Sequence, residues 1–111
     1  MPDIEAVEVL TQAKERLFDH GWGQFNYQTP ARELCGQETY CLEEAIVGVH
    51  GVFVSAHGNV VQRRAARYVM SALGKDADSC LFMWNDRQES AGPVFDALDR
   101  AIEIAKETRV A

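Results

Sequence analysis

The stretch Pro93–Glu107, PVFDALDRAIEIAKE, decides the fold. Val94, Ala97, Leu98, Ala101, Ile102 and Ala105 recur at intervals of three and four, which places them on one face of an α-helix. Asp96, Asp99, Arg100, Glu103, Lys106 and Glu107 fall outside that face. Pro93 suits the first helical position, where a missing N–H leaves no hydrogen bond unmade. Asp96 and Arg100 stand four apart, a spacing that supports a helix by about 0.3 kcal/mol. One amphipathic helix cannot hide its apolar face alone, so the rest of the chain must supply partners.

Three earlier segments supply them. Residues 3–20 read as a helix with Asp3 as N-cap and Glu5 and Glu8 near the positive end of the dipole. Its apolar face is Val7, Leu10, Leu17 and Phe18, narrowed by Lys14 and Glu15, and Gly21 is placed to close it in a left-handed conformation. A second helix opens near Thr39–Cys41 and buries Leu42, Ala45, Ile46 and Val49, with Gly48 and Gly51 weakening its end. A third opens at Asn59, which with Gln62 forms a variant capping box, and runs to about Leu73 with Gly74 as its stop. Val61, Ala65, Tyr68, Val69, Ala72 and Leu73 face inward.

Between them lie Gly-, Pro- and Asn-containing connections. Trp22, Phe25 and Tyr27 in residues 21–38 are too large and apolar to remain in water, so that loop is expected to fold over the core. Val52-Phe53-Val54 and Cys80-Leu81-Phe82-Met83-Trp84 are short apolar runs that fit extended structure, with Asn85-Asp86 turning the chain. The expected fold is therefore mainly α: one compact domain over residues 1–111, a bundle of about four helices with room for one pair of very short strands.

Composition bounds the function. A chain of 111 residues is one domain by size, and 47% apolar with 25% charged residues is ordinary for a globular protein. There is no apolar run of about 18 residues to cross a membrane. The acidic start Met1-Pro2-Asp3-Ile4-Glu5 is unlike a secretory signal. Three cysteines are too few for a disulfide scaffold, which points to reduced thiols and a cytoplasmic protein. A net charge of −6 argues against general nucleic-acid binding.

Four landmarks stand in order: Gly21-Trp22-Gly23-Gln24, Cys41-Leu42-Glu43-Glu44-Ala45-Ile46, Trp84-Asn85-Asp86 and Val94-Phe95-Asp96-Ala97-Leu98-Asp99-Arg100-Ala101. This layout resembles a family of small proteins of unknown function found in actinobacteria and in the bacteriophages that infect them. That family pattern has a Gly-Trp after the first helix, a Gly-x-x-Cys-Leu-x-x-Ala-Ile element, a Trp-Asn-Asp and a closing amphipathic helix. The chain departs from it at Gly36, five residues before Cys41 rather than three, and at Glu44, where a glycine is expected. The resemblance implies a phage or actinobacterial cytosolic setting and implies no activity.

Two clusters hold possible chemistry. Cys41 at a helix start would feel the dipole, which lowers a thiol pKa. With His50 or His57 and Asn85 or Asp86 it would complete the inventory of a cysteine-dependent hydrolase. No peptidase or nucleophile-elbow signature surrounds it, and cysteine is more often simply buried. Cys35, Cys41, His50 and His57 have the ligand types for zinc but not the tight pairs that structural sites use, so no metal and no cofactor is expected.

Charge is more informative. Residues 1–58 carry 9 acids and 3 bases and residues 76–111 carry 8 acids and 4 bases, whereas residues 59–75 carry 4 bases and no acid. Arg63, Arg64 and Arg67 crowd the outer face of that basic helix, where guanidinium forks suit carboxylates or phosphates. Together with Trp22 and Tyr27 they are the candidate binding residues. The expectation is a non-enzymatic protein that binds a protein partner through an acidic surface, a host or phage protein in the setting above. Self-association through an apolar helix face is a second possibility. No catalytic residue is assigned, and Cys41, His50 and Asn85 stand as the alternative.

Overall fold

The computed structural model describes residues 2–23, 40–48, 59–74 and 81–108. Five helices lie among them: α1 Ile4–His20, α2 Leu42–Val47, α3 Val60–Leu73, α4 Leu81–Asp86 and α5 Gly92–Glu107. No strand occurs among the described residues, so the mainly α architecture is as the periodicities require. Residues 24–39 and 49–58, which include Phe25, Tyr27, Val49 and Val52-Phe53-Val54, lie outside the described residues.

Three long helices form the frame, with α1 and α3 each packed on α5 and on one another. Ala13, Ala65, Ala97, Ala101 and Ala105 are fully buried, and small side chains at these seams let the axes approach closely. Leu10, Leu98, Val69 and Val94 fill the space between. The face of α1 centres on Ala6, Leu10, Ala13 and Leu17. Phe18, expected inside, is 83% exposed, because at 100° per residue it stands a full step around from Leu17. The Asp96–Arg100 pair is not formed; Asp99 instead pairs with Lys14 of α1, and Lys106 with Glu103 at 3.7 Å.

The caps follow the sequence. Asp3 Oδ1 accepts from Ala6 N at 3.2 Å. Asn59 and Gln62 exchange side-chain-to-backbone bonds of 2.8 Å each. Gly21, Gly48 and Gly74 follow α1, α2 and α3 with positive φ; Gly48 is left-handed, whereas Gly21, expected in that conformation, stands at φ 90° and ψ 153°, a region open to glycine alone.

Two segments differ from expectation. Residues 81–86 are helical rather than extended. Leu81, Trp84 and Asn85 are buried while Met83 is 53% exposed, a pattern of three and four that a strand could not give. The turn falls one residue later, where Arg87 N donates to Trp84 O at 3.1 Å and Gln88 N to Asn85 O at 3.2 Å. The pair of short strands reduces to one parallel bridge, Trp22 with Tyr40, in which Gly23 N donates to Tyr40 O and Tyr40 N to Gly21 O.

Helix α2 has only six residues and is held from outside. Arg16 of α1 donates to Ala45 O at 2.7 Å and Gln62 of α3 donates to Val47 O at 3.1 Å, satisfying carbonyls of its last turn. Gly48 ends it in the left-handed region, and a Cβ there would lie 2.9 Å from the Arg16 guanidinium carbon.

Candidate functional site

Asn85 gathers the first three landmarks into one place. It is fully buried on α4. Its Oδ1 accepts from Trp22 Nε1 at 2.6 Å and from Leu42 N at 3.0 Å, and its Nδ2 donates to Gly23 O at 3.0 Å and to Asp86 Oδ1 at 3.3 Å. A carboxamide both accepts and donates, and among the described residues both its oxygen and its nitrogen are engaged twice. Asn85 is thus a fastener between the Trp22 loop, the start of α2 and α4, in place of the local turn former expected from sequence.

Cys41 occupies the N-cap of α2. Its Sγ accepts from Glu44 N at 3.5 Å while Glu44 Oε1 accepts from Cys41 N at 3.1 Å, a capping box with sulfur in the usual oxygen position. The side chain is 5% exposed. Burial pushes the thiol well above the ordinary range, and the Glu44 and Glu43 carboxylates push it further; backbone N–H groups of the same two residues oppose this and are outweighed. The helix-start argument for a reactive thiolate therefore fails on desolvation and neighbouring negative charge. Iodoacetamide at pH 7 is expected to leave the Cys41 peptide unlabelled in folded protein and to label it after denaturation, as peptide mapping by mass spectrometry would show.

His50, Cys35, His57 and Tyr27 lie outside the described residues. Among the described residues no group of three or more His, Cys, Asp or Glu is placed to hold a metal ion. Trp22 is half-buried against the core, and its Nε1 donates to Asn85 Oδ1.

The three arginines of α3 do not act together. Arg64 turns back to α1, where its Nε and one terminal nitrogen reach the two oxygens of Asp3 at 2.9 and 2.8 Å, and Glu5 lies 3.7 Å away. Tyr68 donates to Asp3 Oδ2 at 2.7 Å. These bonds, led by Arg64, hold the Asp3 carboxyl at about 2, below its usual 3.8, against the opposing effect of burial. Asp3 N in turn donates to Ala105 O, so one residue links α1, α3 and α5. Sequence identified Asp3 only as a cap. The partners stand 61 and 65 positions away, with no local signal to join them.

Arg63 and Arg67 instead point outward. With Val60 and Ser71 they make a stripe of four exposed side chains along α3. Among the described residues neither arginine forms an ion pair. A cleft of about 850 Å³ opens between α1, α3 and α5, with Val7, Thr11, Ala72, Ile102 and Ile104 in its lining and Ser71 of the α3 stripe at its edge. Four of the charges at its rim are taken up in the Lys14–Asp99 and Lys106–Glu103 pairs, whereas Glu15 and Arg100, also at the rim, form no ion pair among the described residues.

The model of a family described as a family of unknown function (DUF6197) matches residues 1–104, in keeping with the resemblance to an uncharacterised family. No curated protein and no solved structure matches the chain.

Proposed function

The chain belongs to this family of unknown function, and from that premise we propose that it acts by binding a protein partner through the outer face of α3. The observation that carries this is the division among the arginines. Arg64 is spent on Asp3, whereas Arg63 and Arg67 stand exposed beside Val60, itself 63% exposed. Two guanidinium groups with no ion pair among the described residues, in a chain of net charge −6, are a local exception to the surface, and they select a partner that presents carboxylates. The acidic remainder of the molecule disfavours a nucleic-acid backbone.

In this reading the protein works in the cytoplasm of an actinobacterial cell or its phage, and the partner is a protein of that compartment whose activity it modulates. The resemblance in layout supports the setting. No helix of the described residues is long and apolar enough to cross a membrane. The hydrolase alternative gains no support from Cys41, whose thiol is buried and pushed up by the Glu44 and Glu43 carboxylates.

The double variant Arg63→Glu/Arg67→Glu is expected to abolish retention of the partner on immobilised protein. Both side chains are exposed, so thermal stability should stay within about 0.5 kcal/mol of wild type. Wild-type binding should also weaken steeply with salt, since contacts between exposed charges are screened beyond about 10 Å at 0.1 M. Binding that survives both the double variant and 0.5 M salt would exclude the α3 face.

A further inference from the structure

We infer that the carboxylate surface covering the α3 arginines is the outer face of α1 in a second copy of this chain, in a reciprocal two-fold dimer. This rests on the reading of the α3 face as a carboxylate-binding surface just given, and makes its resident occupant a second copy, which any other acidic protein would have to displace.

Glu8, Gln12, Glu15 and Asp19 recur at intervals of four, three and four, and all are exposed. They form a stripe on the side of α1 opposite Leu10, Ala13 and Leu17. The cations nearest in sequence are engaged elsewhere, Lys14 with Asp99 and Arg16 with Ala45 O. Among the described residues Glu8, Glu15 and Asp19 form no ion pair.

The two stripes match in scale. At 1.5 Å per residue, the 17 residues of α1 span about 25 Å and the 14 of α3 about 21 Å. Arg63 and Arg67 are four apart, as are Glu15 and Asp19, so both pairs present charges about 6 Å apart along their axes. Exposed apolar side chains lie beside each stripe, Val60 on α3 and Phe18 on α1, the latter 83% exposed.

The stripes also lie on neighbouring elements. Helices α1 and α3 pack against each other, and Arg64 spans them to reach Asp3 and Glu5. A two-fold axis can therefore set the basic stripe of each copy on the acidic stripe of the other, forming the same contact twice and closing the assembly. A single contact of this type without closure would propagate into a filament. Two narrow, charged stripes per copy make a smaller and wetter contact than a standard interface, so the dimer is weak, on the order of 10 µM, and sensitive to salt.

Sedimentation analysis of the full chain tests this. Wild type at low salt and about 100 µM should be mostly dimer, with an average mass approaching twice the monomer's 12.4 kDa, and return to monomer as salt rises. Arg63→Glu/Arg67→Glu alone, and Glu15→Arg/Asp19→Arg alone, should each be monomeric with unchanged melting. Mixing the two variants should restore the dimer as a heterodimer, because both contacts then pair opposite charges. A wild type that stays monomeric at 100 µM overturns the inference, and so does a mixture that stays monomeric. If such a monomer still captures an acidic protein through Arg63 and Arg67, the α3 face keeps its role and only the identity of its partner is wrong.

Discussion

Replacing Asp3 with Ala is expected to lower stability by about 3 kcal/mol, the larger part electrostatic. Losing an N-cap costs about 1 kcal/mol. The remainder follows from the carboxyl's fall from 3.8 to about 2, which corresponds to about 2 kcal/mol of preference for the charged form in the folded state. The bidentate Arg64 contact is the largest source of that preference, and Tyr68 and Ala6 N add to it. Asp3→Asn separates the two parts: asparagine caps a helix about as well as aspartate, so only the charge-dependent portion should be lost. The sign of the pH dependence follows. The folded state holds the lower pKa, so the stabilisation is complete above about pH 4 and is lost as pH falls from 3.8 towards 2. Acid unfolding of the Asn variant, followed by circular dichroism, should lack this component. A wild-type transition that Asp3→Asn leaves unmoved would remove Asp3 from its central place.

Asn85→Ala should be about as costly. The substitution leaves Trp22 Nε1–H and Leu42 N–H without their acceptor and Gly23 O without its donor, at a site with no exposed surface. Each stranded buried group costs about 1–3 kcal/mol before relaxation, which gives about 3–4 kcal/mol after it. For a domain of this size that is a fall in Tm of roughly 12–16 °C. Asn85→Asp keeps both acceptor contacts but loses the donation to Gly23 and sets a second carboxylate against Asp86, so it should recover only part of the loss. The fluorescence of Trp22 gives a local readout beside global melting. An Asn85→Ala protein melting within about 3 °C of wild type would mean that the fastener adds little.

These two residues also mark how far the chain could be read from its letters. The long helices were legible because their signals are local: the apolar spacing of Val94–Ala105, the Asn59–Gln62 box and the Asp3 cap each act within a few residues. Helix α4 was not, because Leu81-Phe82-Met83-Trp84 is apolar throughout and carries no period of its own. Its helical form depends on Leu81 and Trp84 being taken up by the core. The three landmarks were visible as separate motifs, but their convergence on one carboxamide joins positions 43 to 63 residues apart, beyond any local rule. Cys41 shows the opposite failure. Its position at a helix start was right, and the inference of a lowered pKa was wrong, because sequence gives the dipole but not the burial or the carboxylates around the sulfur. In the sequence Arg63, Arg64 and Arg67 form one patch. Only the fold reveals that Arg64 is bound inward and that Arg63 and Arg67 remain.

Six residues is about half the length at which a helix becomes even marginally stable by itself in water. Beyond its own Cys41–Glu44 capping box, what holds α2 arrives from other elements: Asn85 at its first amide, Arg16 and Gln62 at its last carbonyls. It therefore has no existence before α1, α3 and α4 assemble, and it belongs to the late, cooperative part of folding. Its amide protons should exchange with deuterium only when the whole body opens, as slowly as those of the long helices.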